Sequence, residues 1–334
     1  MSTRRTAVLL AMSAVSALAL AGCAGGAATP GASDAGGSGD AIAVVTSTNV
    51  YGQVAEEIGG DLVSVTPIIT SASQDPHSFE ASAQDQLLVS KAELIIGNGG
   101  GYDSFLDTLI ESTGTTAPVI SAVEFNHDWP GEDGEHSEDE HTEEEHSDDE
   151  HGEHEHTHIE GFNEHVWYDP HTMEHVAEAI AEELSALRPD DAATFEANAA
   201  EFVAGIAGLE DSLAAIEAAH AGAEVFVTEP VPVYLVIAAG LENVTPDAFS
   251  EAVEEGQDVP PATLLEALNL LESGDVRVVI ANAQTGGAET TQVIDAAKST
   301  SIPVLEFTET LPSGQTYLSW MTDNIAQLEE ALAE

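Results

Sequence analysis

Histidine carries most of the chemical promise in this chain of 334 residues, which holds 13 histidines and a single cysteine. Eight of them, at 127, 136, 141, 146, 151, 154, 156 and 158, crowd between Asn126 and Glu160 among many acids. The other five are His77, His165, His171, His175 and His220. Neutral imidazole and carboxylate together make a ligand set for borderline divalent metals such as zinc. Cys23, alone, rules out an intrachain disulfide and any zinc site built on two or more cysteines. His77 lies in Asp75-Pro-His-Ser-Phe-Glu80 and His165 in Glu164-His-Val-Trp-Tyr-Asp-Pro170, while Glu229 and Gln284 each follow a β-rich run. Four candidate ligands thus fall at or near strand ends, where crevices of α/β sheets open. Nucleotide-binding loops and serine or cysteine nucleophile motifs are missing. Gly97-Asn-Gly-Gly-Gly101 has neither GxGxxG spacing nor the Lys-Ser/Thr of a phosphate loop. No GxSxG elbow and no usable nucleophilic cysteine occur.

The elements that must position these groups can be read from the hydrophobic pattern. From Ala41, β-rich runs alternate with helical ones: strands at 42–46, 62–69, 93–97 and 118–120, helices at 50–58, 84–92 and 102–111. That alternation predicts parallel sheet in an α/β lobe. After Pro170 comes an apolar stripe of Val176, Ile180, Leu184 and Leu187. Pro189 then opens a long helix, with Asp190 and Asp191 expected in its first turn, and Phe195, Phe202, Ile206, Leu209, Leu213 and Ile216 on one face. His220 near its end reads as a cap favoured by the helix dipole. A second alternating block follows, with strands at 225–228, 276–281 and 303–307 and helices at 233–239, 289–299 and 317–332. The expected fold is therefore α/β, two mostly parallel sheets flanked by helices and joined by one long backbone helix. The lobes span 41–188 and 221–334, the joining helix 189–220. Asn126–Glu160 is nearly devoid of large apolar residues and reads as a mobile insertion unable to build a core. As a solvated acidic loop, a pH-responsive element or a metal-collecting arm, it has three open readings.

Charge and the N-terminus bound the setting. There are 61 acids against six Lys and Arg, a formal charge of −55. Nucleic acid is excluded as a partner, because phosphate binding needs clustered bases. A field so negative concentrates cations, and it equally suits a saline habitat. Arg4 and Arg5 precede an apolar run, Ala7 to Leu20, that is too short to span a membrane comfortably. Residues 1–22 read as an export signal and 23–40, rich in Gly, Ala and Ser, as a flexible tether.

Several segments resemble one family, the metal-binding solute-binding proteins of bacterial ABC importers for zinc and manganese, the ZnuA/TroA-like group. They are Asp75-Pro-His-Ser-Phe-Glu80, Asn98-Gly-Gly-Gly-Tyr-Asp103, His165-Val-Trp-Tyr-Asp-Pro170, Val227-Thr-Glu-Pro-Val-Pro-Val-Tyr-Leu235 and Thr308-Glu-Thr-Leu-Pro312. Leu20-Ala21-Gly22-Cys23 resembles the bacterial lipobox, which implies acylation of Cys23 and a lipid-anchored protein on the outer face of the cytoplasmic membrane. The resemblance implies no catalysis, a monomeric receptor for Zn²⁺ or alternatively Mn²⁺, and an ABC permease with its ATPase as partners. It places the first metal ligand on His77, the second on His165 and the third on Glu229. The fourth falls in Asn282-Ala-Gln-Thr-Gly-Gly287, which offers no carboxylate; Gln284 through its amide oxygen, a water or another residue remain open there. If Glu229 did not serve, Asp247 and Glu251 would be the next acids to consider. A manganese or iron receptor is the alternative within the family. Outside it stand an adhesin and a metalloprotease, the latter because His171-Thr-Met-Glu-His175 fits H-x-x-E-H, a pattern that arises easily by chance in so acidic and His-rich a chain.

Overall fold

A computed structural model describes residues 41–131, 159 and 161–333. Cys23, the leader, the tether and the histidines from 136 to 158 lie outside the described residues. The chain builds β1 (Ile42–Thr48), α1 (Asn49–Gly59), β2 (Val63–Ile69), α2 (Ala83–Val89), β3 (Leu94–Gly97), α3 (Ser104–Thr113) and β4 (Val119–Ser121). Then come α4 (Pro170–Leu187), α5 (Ala192–His220), β5 (Glu224–Val227), α6 (Val233–Ala238), β6 (Glu242–Asn243) and α7 (Asp247–Glu254). Finally α8 (Pro261–Ser273), β7 (Val276–Asn282), α9 (Ala288–Ser299), β8 (Val304–Phe307) and α10 (Tyr317–Ala333) complete it. The first sheet runs β2-β1-β3-β4 and the second β6-β5-β7-β8. Every pair is parallel, from Val44 against Val65 and Leu94 to Ile280 against Leu305. The two lobes thus repeat one strand order, and α4 and α5 join them.

Both faces of each sheet are covered, which is why the strands read as unbroken apolar runs. In β1, Val44 faces a central core and Val45 an outer one beneath α2 and α3; in β5, Val225 and Val227 face the central core and Phe226 the outer core with Phe249 of α7. The central core is continuous from Ile42 through α1, α4, α5 and the second sheet to Leu332. Its spine is α5, 29 residues or about 43 Å long, which buries Phe195, Phe202, Ile206, Leu209, Leu213 and Ile216 on one side. Helix α10 packs on α5, β7 and α1, tying the C-terminus to both lobes.

Three differences from the sequence reading have physical causes. Asp190 and Asp191 lie in a 3-10 turn, Pro189–Asp191, ahead of α5 rather than in its first turn; Arg188 at φ −138° leads into that separate turn. The stretch 241–275 holds β6, α7 and α8, whose apolar signal is short or diffuse: α7 spans eight residues and buries only Phe249 and Val253, and α8 buries only Ala267 and Leu271 while leaving Leu265 exposed. The start of the His-rich insertion is anchored as far as Trp129. Asn126 is buried and donates through Nδ2 to Thr172 Oγ1 at 3.0 Å and Asp169 Oδ2 at 3.2 Å, and Trp129 packs edge-on against Phe162.

A core shared by both lobes should unfold as one unit. Phe202→Ala, which opens a cavity where α5 meets Tyr317 of α10, is expected to cost about 3–5 kcal/mol. In urea it should shift a single transition seen alike by near-UV and far-UV circular dichroism; two separated transitions would contradict a common core.

Candidate metal centre

The side chains of interest rise from the carboxyl ends of the two sheets. His165 is almost fully buried, at 1% exposure, at the entry to a 3-10 turn, Val166–Tyr168. Its orientation is set by Asn163. Asn163 Nδ2 donates to Pro230 O at 2.9 Å, so Oδ1 is the atom turned to the imidazole, 2.8 Å from His165 Nδ1. An amide oxygen only accepts, so Nδ1 carries the proton and Nε2 keeps its lone pair. Nε2 points to Glu254 Oε1, 3.8 Å away. Such a partner behind the ring is the usual way a metal-binding histidine is held in one tautomer.

His77 sits on the long connection after β2. Asp75 shapes its turn: Oδ1 accepts from the His77 amide at 3.0 Å and Oδ2 from Ser78 Oγ at 2.7 Å. The ring meets Tyr102 edge-on at 4.9 Å between centroids and lies 5.9 Å from the His165 ring. The Asn98–Asp103 loop after β3 supports both histidines. Gly99, Gly100 and Gly101 all take φ between 70° and 101°, and a side chain at Gly99 would strike Ser121 Oγ. Asp103 caps the loop by accepting from the Asn98 and Gly99 amides at 2.6 and 2.8 Å. Asn98 in turn accepts from Tyr51 Oη at 2.5 Å and donates to Glu164 O at 2.9 Å, fixing the backbone next to His165.

The second lobe supplies carboxylates. Glu229 follows β5 and Glu309 follows β8, both nearly buried at 3% and 2% exposure. One amide group holds them together: Asn282 Nδ2 donates to Glu229 Oε2 at 2.8 Å and to Glu309 Oε1 at 2.6 Å. Thr285 Oγ1 donates to the other oxygen of Glu229, and Tyr102 Oη donates across the cleft to Glu309 Oε2 at 3.1 Å. Gln284 is engaged with the loop that follows β8. Its Oε1 accepts from the amides of Glu309 and Thr310 at 3.0 and 2.8 Å and from Thr310 Oγ1 at 2.8 Å, so it shapes the loop that presents Glu309. From α7 it is Glu254, one turn beyond Glu251, that reaches the histidines; ligand atoms of His77, His165 and Glu254 lie within 4.8 Å of one another. An open cleft of about 1160 Å³ adjoins, lined by Asp75, His77, Glu254, Gln284 and Thr285 among others. The sequence reading passed over Glu309 and Glu254. Thr308-Glu-Thr-Leu-Pro312 sets an acid at a strand's carboxyl end, which is the signal the sequence offers for Glu309; an acid at the end of α7 carries none.

Burial pushes these acids toward their neutral forms. Burial and the charge of Glu229 raise Glu309 to about 7, against a lowering hydrogen bond from Asn282. Burial, with Glu229 and Glu309 nearby, raises Glu254 to about 8. Glu164, behind His165, is raised by burial and by Glu254 to about 9. Glu229 is raised by burial while its hydrogen bonds from Thr285 and Asn282 oppose the shift. Acids raised in this way favour their protonated forms near neutrality, and binding of a cation by them would release protons.

The family model described as "ZnuA: Zinc-uptake complex component A periplasmic" matches residues 44–331. Among curated relatives, the chain is 29% identical over 204 residues to the manganese-binding lipoprotein MntA of Halalkalibacterium halodurans, covering 59% of this chain and 55% of that protein. It is 34% identical over 183 residues to the high-affinity zinc uptake system protein ZnuA of Paracoccus denitrificans, covering 51% and 55%. The chain thus spans about half the length of the curated relatives it matches. The periplasmic zinc binding protein TroA from Treponema pallidum has the same fold, with a TM-score of 0.67 at 16% identity, over 88% of this chain and all of that one.

Two outcomes follow from the geometry. Asn163→Ala removes the acceptor behind His165 Nδ1 and is expected to weaken divalent-metal affinity about 10- to 100-fold, read by competition with a fluorescent chelator; unchanged affinity would show that the tautomer is held otherwise. The second concerns pH. An acid whose pKa is raised on folding binds its proton more tightly in the folded chain, so its stabilisation is complete below about 4.5 and is lost as pH rises through the folded values of about 7 to 9. The metal-free melting temperature should fall between pH 6 and 9, and Glu309→Gln should flatten that fall.

Proposed function

This chain belongs to the family of periplasmic zinc-uptake components, and we propose that it is the extracytoplasmic receptor of a metal ABC importer that captures Zn²⁺ between its lobes. The observation that carries this reading is the clustering of His77, His165 and Glu254, beside Tyr102, whose hydroxyl reaches the buried Glu309 and through it the Asn282-linked Glu229. His77, His165, Glu229 and Glu309 are the ligands in this proposal. Gln284, with its oxygen committed to the Glu309 loop, positions the fourth ligand rather than serving as one. Glu254, whose ligand atom lies within 4.8 Å of those of His77 and His165, is a further carboxylate within reach of the same ion. Two nitrogens and two oxygens match the four-coordinate preference of zinc. The fold contributes the fixed positions, and transfer to a permease driven by its ATPase completes the proposed task. Anchoring through acylated Cys23 belongs to the same reading, as does a receptor rather than enzymatic role for the chain.

Manganese is the second cargo to weigh, because two carboxylates make the site harder than a set of three histidines. By ligand preference this raises tolerance for Mn²⁺ without reversing the order in which zinc wins. A relative named for manganese and another named for zinc both resemble the chain, so the choice of cargo has to be made on the metal itself.

His77→Ala and His165→Ala should each abolish tight one-to-one zinc binding in calorimetry while leaving the fold intact. Glu309→Gln should lose more affinity than the roughly 10- to 100-fold typical of residues behind the ligands, and Gln284→Ala less than Glu309→Gln. Wild-type affinity in the Glu309 variant would remove it from the ligand set. In Zn²⁺ against Mn²⁺ competition, Glu229→His should keep zinc and lose manganese disproportionately; an unchanged ratio and unchanged affinities would place Glu229 outside the ligand set.

A further inference from the structure

The H-x-x-E-H pattern at 171–175 has no part in the cleft, yet the fold completes it. His171, Glu174 and His175 lie on the first turns of α4, on one face because they are spaced three and four apart. Helix α5 packs antiparallel along α4 and brings Glu210 to the same place: ligand atoms of His171, Glu174 and Glu210 lie within 4.8 Å of one another. The His175 ring stands against that of His171, with centroids 4.8 Å apart. His175 Nδ1 is 3.2 Å from Glu178 Oε2, one turn on, so its proton is directed to that carboxylate and Nε2 is left with the lone pair. From this arrangement we propose a second divalent-cation site, of the borderline class that zinc represents, bridging α4 and α5 outside the cleft.

The surroundings favour a cation over a solvated patch of side chains. Glu174 and Glu210 are like charges held together by the packing of two helices. The only Lys or Arg on either helix or at its ends is Arg188, beyond the far end of α4 and 17 residues from His171, about 26 Å along the axis. The positive end of the α4 dipole, which would oppose a cation, is faced by Asp169, whose Oδ1 accepts from the His171 amide at 3.2 Å. His171 is exposed, which leaves the ion open to exchange. An ion bound here fastens the two helices on which both lobes are hung. Small side-chain rotations bring the donors from within 4.8 Å to the roughly 3.4 Å that separates ligands on zinc bonds of about 2.0–2.1 Å. This site stands whether or not the cleft carries zinc.

The test is equilibrium dialysis of the full chain against buffered Zn²⁺, at free concentrations well above those that fill the tight site. His171→Ala and Glu210→Gln, on different helices, should each bind one equivalent fewer than wild type and keep the tight equivalent, and the double variant should lose no more than either alone. Zinc should also protect His171 of the wild-type chain from acylation by diethyl pyrocarbonate, followed by mass spectrometry. A full wild-type count in Glu210→Gln, or acylation of His171 at the same rate with and without zinc, overturns the proposal.

Discussion

The centre of this molecule is governed by acids drawn into its interior. Glu229 and Glu309 share one amide group of Asn282, and Glu254 and Glu164 stand close behind. The four Lys and Arg of the described residues are placed elsewhere. Lys91 and Lys298 are exposed near the amino ends of the sheets, Arg277 reaches the carbonyl of Leu332, and Arg188 pairs with Asp191. Burying an uncompensated carboxylate is costly enough that the group takes up a proton instead. In the proposed receptor a divalent cation would remove that cost by supplying the missing positive charge from outside the protein.

Bringing acids together in this way requires a frame that does not yield, and the interface between the lobes supplies it. Asn49 exchanges two hydrogen bonds with the backbone of Leu311, Tyr168 donates to Thr308 O, Tyr317 to Trp167 O, and Tyr234 to Asn163 O. Most of these ties hold the loop that carries Glu309 or the turn that carries His165. Beneath them runs the continuous apolar core along α5 and α10. Side chains in a dense core sit in discrete arrangements rather than deforming smoothly, so the ligand positions are inherited from the packing below them. The repeated strand order of the two sheets puts their crevices face to face, each at the carboxyl ends of its strands.

Much of this was legible in one dimension. Apolar runs bounded by Gly and Pro located the strands, the one-sided stripe of α5 announced the spine, and the segments around His77, His165 and Glu229 pointed to a metal cleft. These are local properties: period, turn chemistry and residue type survive in a linear reading because backbone geometry imposes them residue by residue. The tertiary structure decided which acids gather at the cleft. Glu309 and Asn282 are 27 residues apart, Glu254 and His165 farther still, and no periodicity links them. Whether Gln284 turns its oxygen to an ion or to the Thr310 amide depends on how β7 and β8 pair, and so does the neighbourhood of Glu309 and Glu229. The same holds for His171 and Glu210, whose approach is set by two helices packing antiparallel. Side-chain type can be read from sequence, but the distance between side chains on separate elements arises only when those elements bury their apolar faces against each other.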